Sequence, residues 1–113
     1  MLGFFCLMQI HTKMHHVYIL FSKKLNRFYI GCTSDLNLRL DFHLHDTQTR
    51  KFTHKADDWK LFFSLECSSK RQALAIEKHI KAMKSKAYIL NLSKYPEMTA
   101  KLLEKFGLVN DRE

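Results

Sequence analysis

The 113-residue sequence predicts an α/β (α+β) domain built on a small, three-stranded, mostly antiparallel sheet flanked by helices. Two neighbouring runs, residues 17–21 and 27–32, are rich in β-branched and aromatic side chains. A short polar segment separates them, which is typical of a β-hairpin. Further along the chain, apolar residues recur mostly at helical spacing. The predicted order is β-β-α-β-α-α, followed by a C-terminal helix.

The first helix follows the hairpin. Residues 33–35 (Thr-Ser-Asp) are all good N-caps, and Leu36 and Leu40 are one helical turn apart. Residues 47–58 are polar and basic, and they predict a loop. The aromatic-rich residues 59–65 predict the third strand.

Three more helices are predicted in the C-terminal half. The serine pair at 68–69 would cap the second helix, whose apolar stripe comprises Ala73, Ile76, Ile80 and Met83. A third helix is predicted over about residues 86–92. Pro96 and Gly107 bracket a last helix over residues 97–106, because proline is favoured at helix starts and glycine past helix ends.

Length and composition limit the class of protein. The chain is the size of one small domain, and its net charge of +8 favours an anionic partner, with nucleic acid first. Three cysteines without a C-x-x-C pair argue against a disulfide framework or zinc ribbon, and they favour reduced thiols and a cytoplasmic location. No apolar stretch approaches the roughly 20 residues that a membrane span needs.

The N-terminal segment differs from the rest of the chain. Residues 1–13 are apolar without a clear period and precede Met14. We interpret them as an N-terminal extension or a start codon assigned too early. The alternative is a strand or helix that covers the core. Residues 14–92 form the predicted domain, and residues 93–113 form a C-terminal helix and tail.

Three residues are unusual for a purely structural role. Gly31 ends a strand just before a helix cap, where the lack of a Cβ lets a ligand or backbone approach closely. Arg39 lies on the flank of the first helix. Glu77 is the only acidic residue in the basic segment 70–86. Before any resemblance is considered, the surrounding positive charge favours a local ion pair for Glu77, and a role as a placed ligand is the alternative.

The spacing of these residues resembles a known family. Val17-Tyr18-Ile19 is followed by Tyr29-Ile30-Gly31, and the second tyrosine is eleven positions after the first. This arrangement resembles the two signature tripeptides of the GIY-YIG nuclease superfamily. Over residues 14–92 the sequence is most similar to its small stand-alone, excinuclease-like members. Four further positions match in order: Arg39, His43, Glu77 and Asn91.

The resemblance implies a metal-dependent endonuclease that hydrolyses DNA phosphodiester bonds. Glu77 would bind one Mg²⁺ (or Mn²⁺) ion, and Arg39 would contact the scissile phosphate. Tyr18 and Tyr29 would face that phosphate, with Tyr18 accepting a proton from the attacking water or orienting it. Gly31 would let the substrate approach the sheet.

The remaining assignments concern positioning and binding. By the same resemblance, His43 is either a proton shuttle or a hydrogen-bonded helix residue, and Asn91 is a structural hydrogen bonder. The basic residues expected to contact nucleic acid are Lys51, Lys55, Lys78, Lys81 and Lys84. The expected cleavage is structure-directed or weakly specific and would suit DNA repair or recombination.

Two other functions stay open from the sequence. One is a catalytically inactive nucleic-acid-binding module of the same fold, and the other is a protein-interaction domain with an acidic partner. The sequence does not decide between DNA and RNA or fix the oligomeric state. A zinc or nickel site at His15-His16 or His43-x-His45 is disfavoured, because adjacent strand residues and i, i+2 helix residues point apart.

Overall fold

The computed structural model describes the backbone of residues 14–45 and 56–111, and the side chains of residues 14–40 and 56–107. The predicted N-terminal extension, Lys51 and Lys55 lie outside the described residues. Within the described ranges, no helix has the length and apolar character needed to cross a membrane.

The described chain forms one three-stranded antiparallel sheet and four helices, which confirms the predicted fold class. The strand order is β2-β1-β3, so β1 is central and β2 is an edge strand. Along the chain the elements are β1 (His15–Ser22), β2 (Arg27–Thr33), α1 (Leu36–His45), β3 (Trp59–Cys67), α2 (Lys70–Met83), α3 (Lys86–Lys94) and α4 (Pro96–Asp111).

The alternation of side chains along β1 divides the interior into two clusters. One face of the sheet packs against α2, α3 and α4, where the buried members are Val17, Ile19, Cys67, Ala73, Ile76, Ile80, Ile89, Leu92 and Leu102. The opposite face carries a smaller cluster of Tyr18, Leu20 and Trp59, which Leu36 and Leu40 of α1 cover. Both faces of β1 are therefore buried at its centre, where residues 17–20 are at most 1% exposed.

Local sequence signals set the helix starts. The Asp35 carboxylate accepts a hydrogen bond from the Leu38 amide at 3.1 Å, at the beginning of α1. The Ser69 hydroxyl accepts from the Gln72 amide at 3.1 Å, and Ser85 caps α3 in the same way. Each cap stabilises its helix by about 1 kcal/mol. The predicted caps at Asp35 and Ser69 are therefore confirmed.

Two predictions about the helices are wrong. Met83 does not complete the apolar stripe of α2: it is 43% exposed, because it is the last residue of the helix before the chain turns at Lys84. Gly107 does not lie past the end of the last helix, which continues to Asp111. A Cβ at Gly107 would lie 3.2 Å from Nε2 of Gln72 on α2, so its small size serves helix packing instead.

Candidate active site

The centre of the candidate site is Tyr18, whose ring lies over Gly31. These two residues are direct cross-strand partners on β1 and β2. A Cβ added to Gly31 would lie 2.6 Å from the Tyr18 hydroxyl oxygen and 2.7 Å from its Cζ. The Tyr18 side chain therefore leans across β2 into space that any other residue at position 31 would fill.

Tyr29 lies beside Tyr18 on the same face of the sheet. It pairs with Leu20, two residues along β1 from Tyr18, and side chains two apart on a strand share a face. The two tyrosine ring centroids are 6.3 Å apart, and the Tyr29 ring meets Trp59 edge-on at 6.4 Å. Tyr29 is only half-buried, so the tyrosine pair extends from the small cluster to the surface.

The charges of Arg39 and Glu77 both act on the Tyr18 hydroxyl. The helices that carry these two residues pack against opposite faces of the sheet. Burial is the main reason that the pKa of Tyr18 is raised well above its ordinary value, and the Tyr29 hydroxyl and Glu77 carboxylate add to this rise. The positive charge of Arg39 acts in the opposite direction. Four residues that are distant in sequence are therefore close enough to interact around one hydroxyl.

Glu77 is held at the edge of the sheet by two neighbours. Its side chain is 17% exposed, and its Oε2 lies 2.7 Å from Nζ of Lys81, one turn along α2. Burial raises the pKa of the Cys32 thiol to about 11, and a hydrogen bond to Glu77 contributes to the rise. The protonated Cys32 thiol therefore donates to the carboxylate.

The edge position of β2 explains how two faces contribute to one site. Tyr18 and Tyr29 lie on the face covered by α1, whereas Cys32 points to the face covered by α2. No strand pairs with the outer edge of β2 in the described sheet. A phosphate placed at this edge could therefore be approached by Arg39 from one side and Glu77 from the other.

The structure thus brings together Tyr18, Tyr29, Gly31, Arg39 and Glu77. The other predicted residues are placed differently. His43 lies in α1, but its side chain is outside the described residues, as is the histidine pair at 43 and 45. Asn91 is exposed on α3, and its backbone carbonyl accepts a hydrogen bond from the Tyr95 amide at 2.9 Å. The remaining predicted contacts with nucleic acid are all exposed: Lys78, Lys81 and Lys84.

The sequence reasoning missed two features of this site. Cys32 was not singled out, although its position after Gly31 puts its side chain on the face opposite to Tyr18. Lys81 was assigned to nucleic acid and not to Glu77, although the i, i+4 spacing predicts their ion pair. Cys32 and Lys81 do not form a multi-ligand metal site with Glu77, since the described residues contain no cluster of three or more histidine, cysteine or acidic side chains that could hold a metal ion.

A comparison with known families agrees with this geometry. Residues 14–90, more than half of the chain, match the family model described as the GIY-YIG catalytic domain. The chain therefore belongs to the GIY-YIG catalytic domain family, and the family indicates nuclease-type activity on nucleic acid. Searches of curated proteins and of solved structures found no significant match.

Proposed function

We propose that the protein is a metal-dependent endonuclease that hydrolyses DNA phosphodiester bonds, with weak sequence specificity or a preference for DNA structure. The observation that carries this proposal is that the Tyr29 ring lies 6.3 Å from that of Tyr18, and that the charges of Arg39 and Glu77 both act on the Tyr18 hydroxyl. A cation ligand and a fixed positive charge stabilise the negative charge that develops during phosphodiester cleavage, and a hydroxyl beside them can orient the attacking water.

The Glu77 carboxylate fits a divalent cation. Mg²⁺ binds through one or two carboxylates and completes its coordination with water and substrate phosphate, so a single acidic residue is sufficient. Glu77 already accepts the Lys81 ammonium group at 2.7 Å, which shows that a positive charge can reach its oxygens. Mg²⁺ or Mn²⁺ bound there would supply positive charge to the phosphate as it gains negative charge in the transition state.

The side chains around the phosphate have separate roles in this proposal. The guanidinium of Arg39 would donate two parallel hydrogen bonds to the non-bridging oxygens. Because burial raises its pKa, Tyr18 stays protonated at neutral pH. We therefore assign Tyr18 to orienting the attacking water through its hydroxyl and not to removing the proton. Tyr29, half-exposed beside it, would contact the substrate at the rim.

The charged surface next to the site supports a nucleic acid as the substrate. Lys78, Lys81 and Lys84 follow one another at three-residue intervals along and just beyond α2, and all three are exposed. Lysines in such a row contact backbone phosphates, which provide affinity without reading the base sequence. Weak sequence specificity follows, and cleavage directed by DNA structure would serve repair or recombination.

The test is cleavage of supercoiled plasmid and of labelled duplex, nicked, flap and single-stranded DNA, with and without Mg²⁺ or Mn²⁺. We expect metal-dependent cleavage that falls at least about 100-fold in Arg39→Ala and in Glu77→Gln. The first substitution removes a positive charge next to the phosphate, and the second weakens binding of the metal ion that would stabilise the transition state. Lys60→Gln is the control for loss of one charge, because Lys60 is exposed on β3, the opposite edge strand. Circular dichroism should show that all three variants are folded.

The second candidate is a non-catalytic nucleic-acid-binding module, which the Lys81–Glu77 ion pair favours because an ammonium group already neutralises the carboxylate. It predicts salt-dependent DNA or RNA binding without cleavage under any metal. Full activity in Arg39→Ala or in Glu77→Gln would reject the catalytic assignment of that residue. Equal cleavage of RNA would extend the substrate class.

A further inference from the structure

A shallow cavity of about 250 Å³ lies between β2 and the junction of α2 and α3, beside the candidate active site. Its lining combines two kinds of side chain. The apolar members are Phe28, Ile30 and Ile89, and the cationic members are Arg27, Lys84 and Lys86. A ligand that suits this cavity has a flat apolar part and a negative charge next to it.

Lys84 occupies the cavity in a backbone conformation that lysine rarely adopts. It is the C-cap of α2 with φ 48° and ψ 44°, in the left-handed region. Glycine adopts this conformation without steric cost and is the preferred residue at such helix ends. A lysine kept at a position that favours glycine points to a use for its side chain.

Lys86 is held at the cavity by a contact with the hairpin. Its Nζ donates a hydrogen bond to the Asn26 carbonyl oxygen at 2.7 Å. Because an ammonium group has three donors, two are left for an anion. Arg27 follows Asn26 directly, so the β1–β2 turn, the end of α2 and the start of α3 each bring a cation to the same place.

The cavity is a short distance from Glu77. Ile30 is two residues from Cys32, which contacts Glu77, so the separation along β2 is about 7 Å. Lys84, the C-cap of α2, is seven positions after Glu77, which corresponds to a rise of about 10 Å. Stacked nucleotides advance by about 3.4 Å along a strand. The cavity is thus about two or three nucleotides from a phosphate at Glu77.

We propose that this cavity binds one unpaired nucleotide of the DNA substrate, two or three nucleotides from the scissile phosphate. The base would lie on the half-buried Phe28 and Ile30, above the buried Ile89, and the flanking phosphates would contact the cations. A paired and stacked base cannot enter such a cavity, whereas an unpaired base offers both its faces. The inference rests on the proposed nuclease function and specifies its substrate as DNA with a single-stranded segment, such as a flap or a frayed end.

The test measures binding without cleavage, using fluorescein-labelled pentathymidylate in EDTA and a pentamer of abasic residues with the same number of phosphates. We expect wild-type protein to bind the thymidine oligomer about tenfold more tightly, because one base gains a stacking surface. Lys84→Gly and Lys86→Gln should weaken its binding several-fold, and Lys60→Gln should weaken it less. Lys84→Gly should stay folded, since glycine adopts this left-handed conformation without steric cost, and circular dichroism checks this.

Photocrosslinking locates the base. A pentamer with one 5-iododeoxyuridine should crosslink to Phe28, as mapped by mass spectrometry of the digested protein. Equal affinity for the two pentamers, wild-type affinity in both lysine variants, or a crosslink only to residues distant from the cavity would each overturn the proposal. Metal-dependent cleavage with any of these results would leave the nuclease function standing. A Phe28 crosslink without any cleavage would support the cavity and reject the nuclease function.

Discussion

Gly31→Ala tests directly whether the Tyr18 hydroxyl has to lie where the structure places it. The new methyl group would be 2.6 Å from the hydroxyl oxygen and 2.7 Å from Cζ of Tyr18. Non-bonded heavy atoms are in favourable contact at about 3.5–4.0 Å, so the ring would have to retreat by about 1 Å. Tyr18 is 1% exposed, which leaves it little room to do so.

The expected magnitude follows from this displacement. Forcing one extra carbon into a well-packed cluster costs about 1–3 kcal/mol, and we expect a destabilisation in this range in urea unfolding. Moving a positioned group by about 1 Å costs about 100-fold in rate, so cleavage should fall about 100-fold at saturating substrate. The loss of rate should exceed what the unfolded fraction explains.

A matched control and a second background make the test specific. Gly107→Ala is the same substitution inside α4, where the new Cβ meets only the amide end of Gln72 at 3.2 Å, and cleavage should not change. In a Tyr18→Phe background the hydroxyl contact is missing but the 2.7 Å contact with Cζ remains, so Gly31→Ala should still destabilise the protein, by somewhat less than in wild type. Wild-type stability and cleavage in Gly31→Ala would refute the reasoning.

Three further predictions use the other groups described. Lys81→Met should lower the Mg²⁺ concentration for half-maximal cleavage by about twofold. In wild type the metal ion has to displace the exposed Lys81 ammonium group from Glu77, and in the variant it does not. An unchanged or higher Mg²⁺ concentration would contradict this prediction. Burial lowers the pKa of His79, so as the pH falls the histidine takes up a proton in the unfolded chain at a higher pH than in the folded protein. The melting temperature should therefore decrease from pH 7.5 to pH 5.5, and it should decrease less in His79→Gln. The pKa of Asp58 is lowered chiefly by a hydrogen bond from Ser22, so its contribution to stability should be lost below about pH 4, where the folded carboxyl takes up a proton. Asp58→Asn should lack this contribution at every pH. Unfolding curves of the two proteins at pH 3 and pH 7 test this, and the same difference in stability between wild type and variant at both pH values would argue against it.

The sequence predicts those parts of the fold that depend on neighbours in the chain. The caps at Asp35 and Ser69 act on amides three residues away, so local reading finds them. The hairpin lacks Asn-Gly and Asp-Gly, so its sequence does not specify a turn type, and Asn26 provides the left-handed residue, with φ 53°. Gly107 was misread as a helix end because its packing against Gln72 joins segments far apart in sequence.

The residues of the candidate site also divide into those that local spacing predicts and those that only the packing of distant segments brings in. The tyrosines and Gly31 could be placed together from their spacing, because a short hairpin brings its two strands into register. Glu77 required the family resemblance, since no local rule says that α2 packs against the edge of β2. The Cys32–Glu77 hydrogen bond, which also depends on that packing, could not be predicted from either segment alone.

The two charged groups of the site are held on opposite faces of the sheet by separate packing contacts. Glu77 lies on α2, which contributes Ala73, Ile76 and Ile80 to the larger cluster. Arg39 lies on α1, whose described side chains include two leucines packed against the smaller cluster. Because the two charges depend on different contacts, a change in the packing of one helix should displace one charge and leave the other in place. A phosphate bound at the edge of β2 would contact both groups and would stabilise both helices in return.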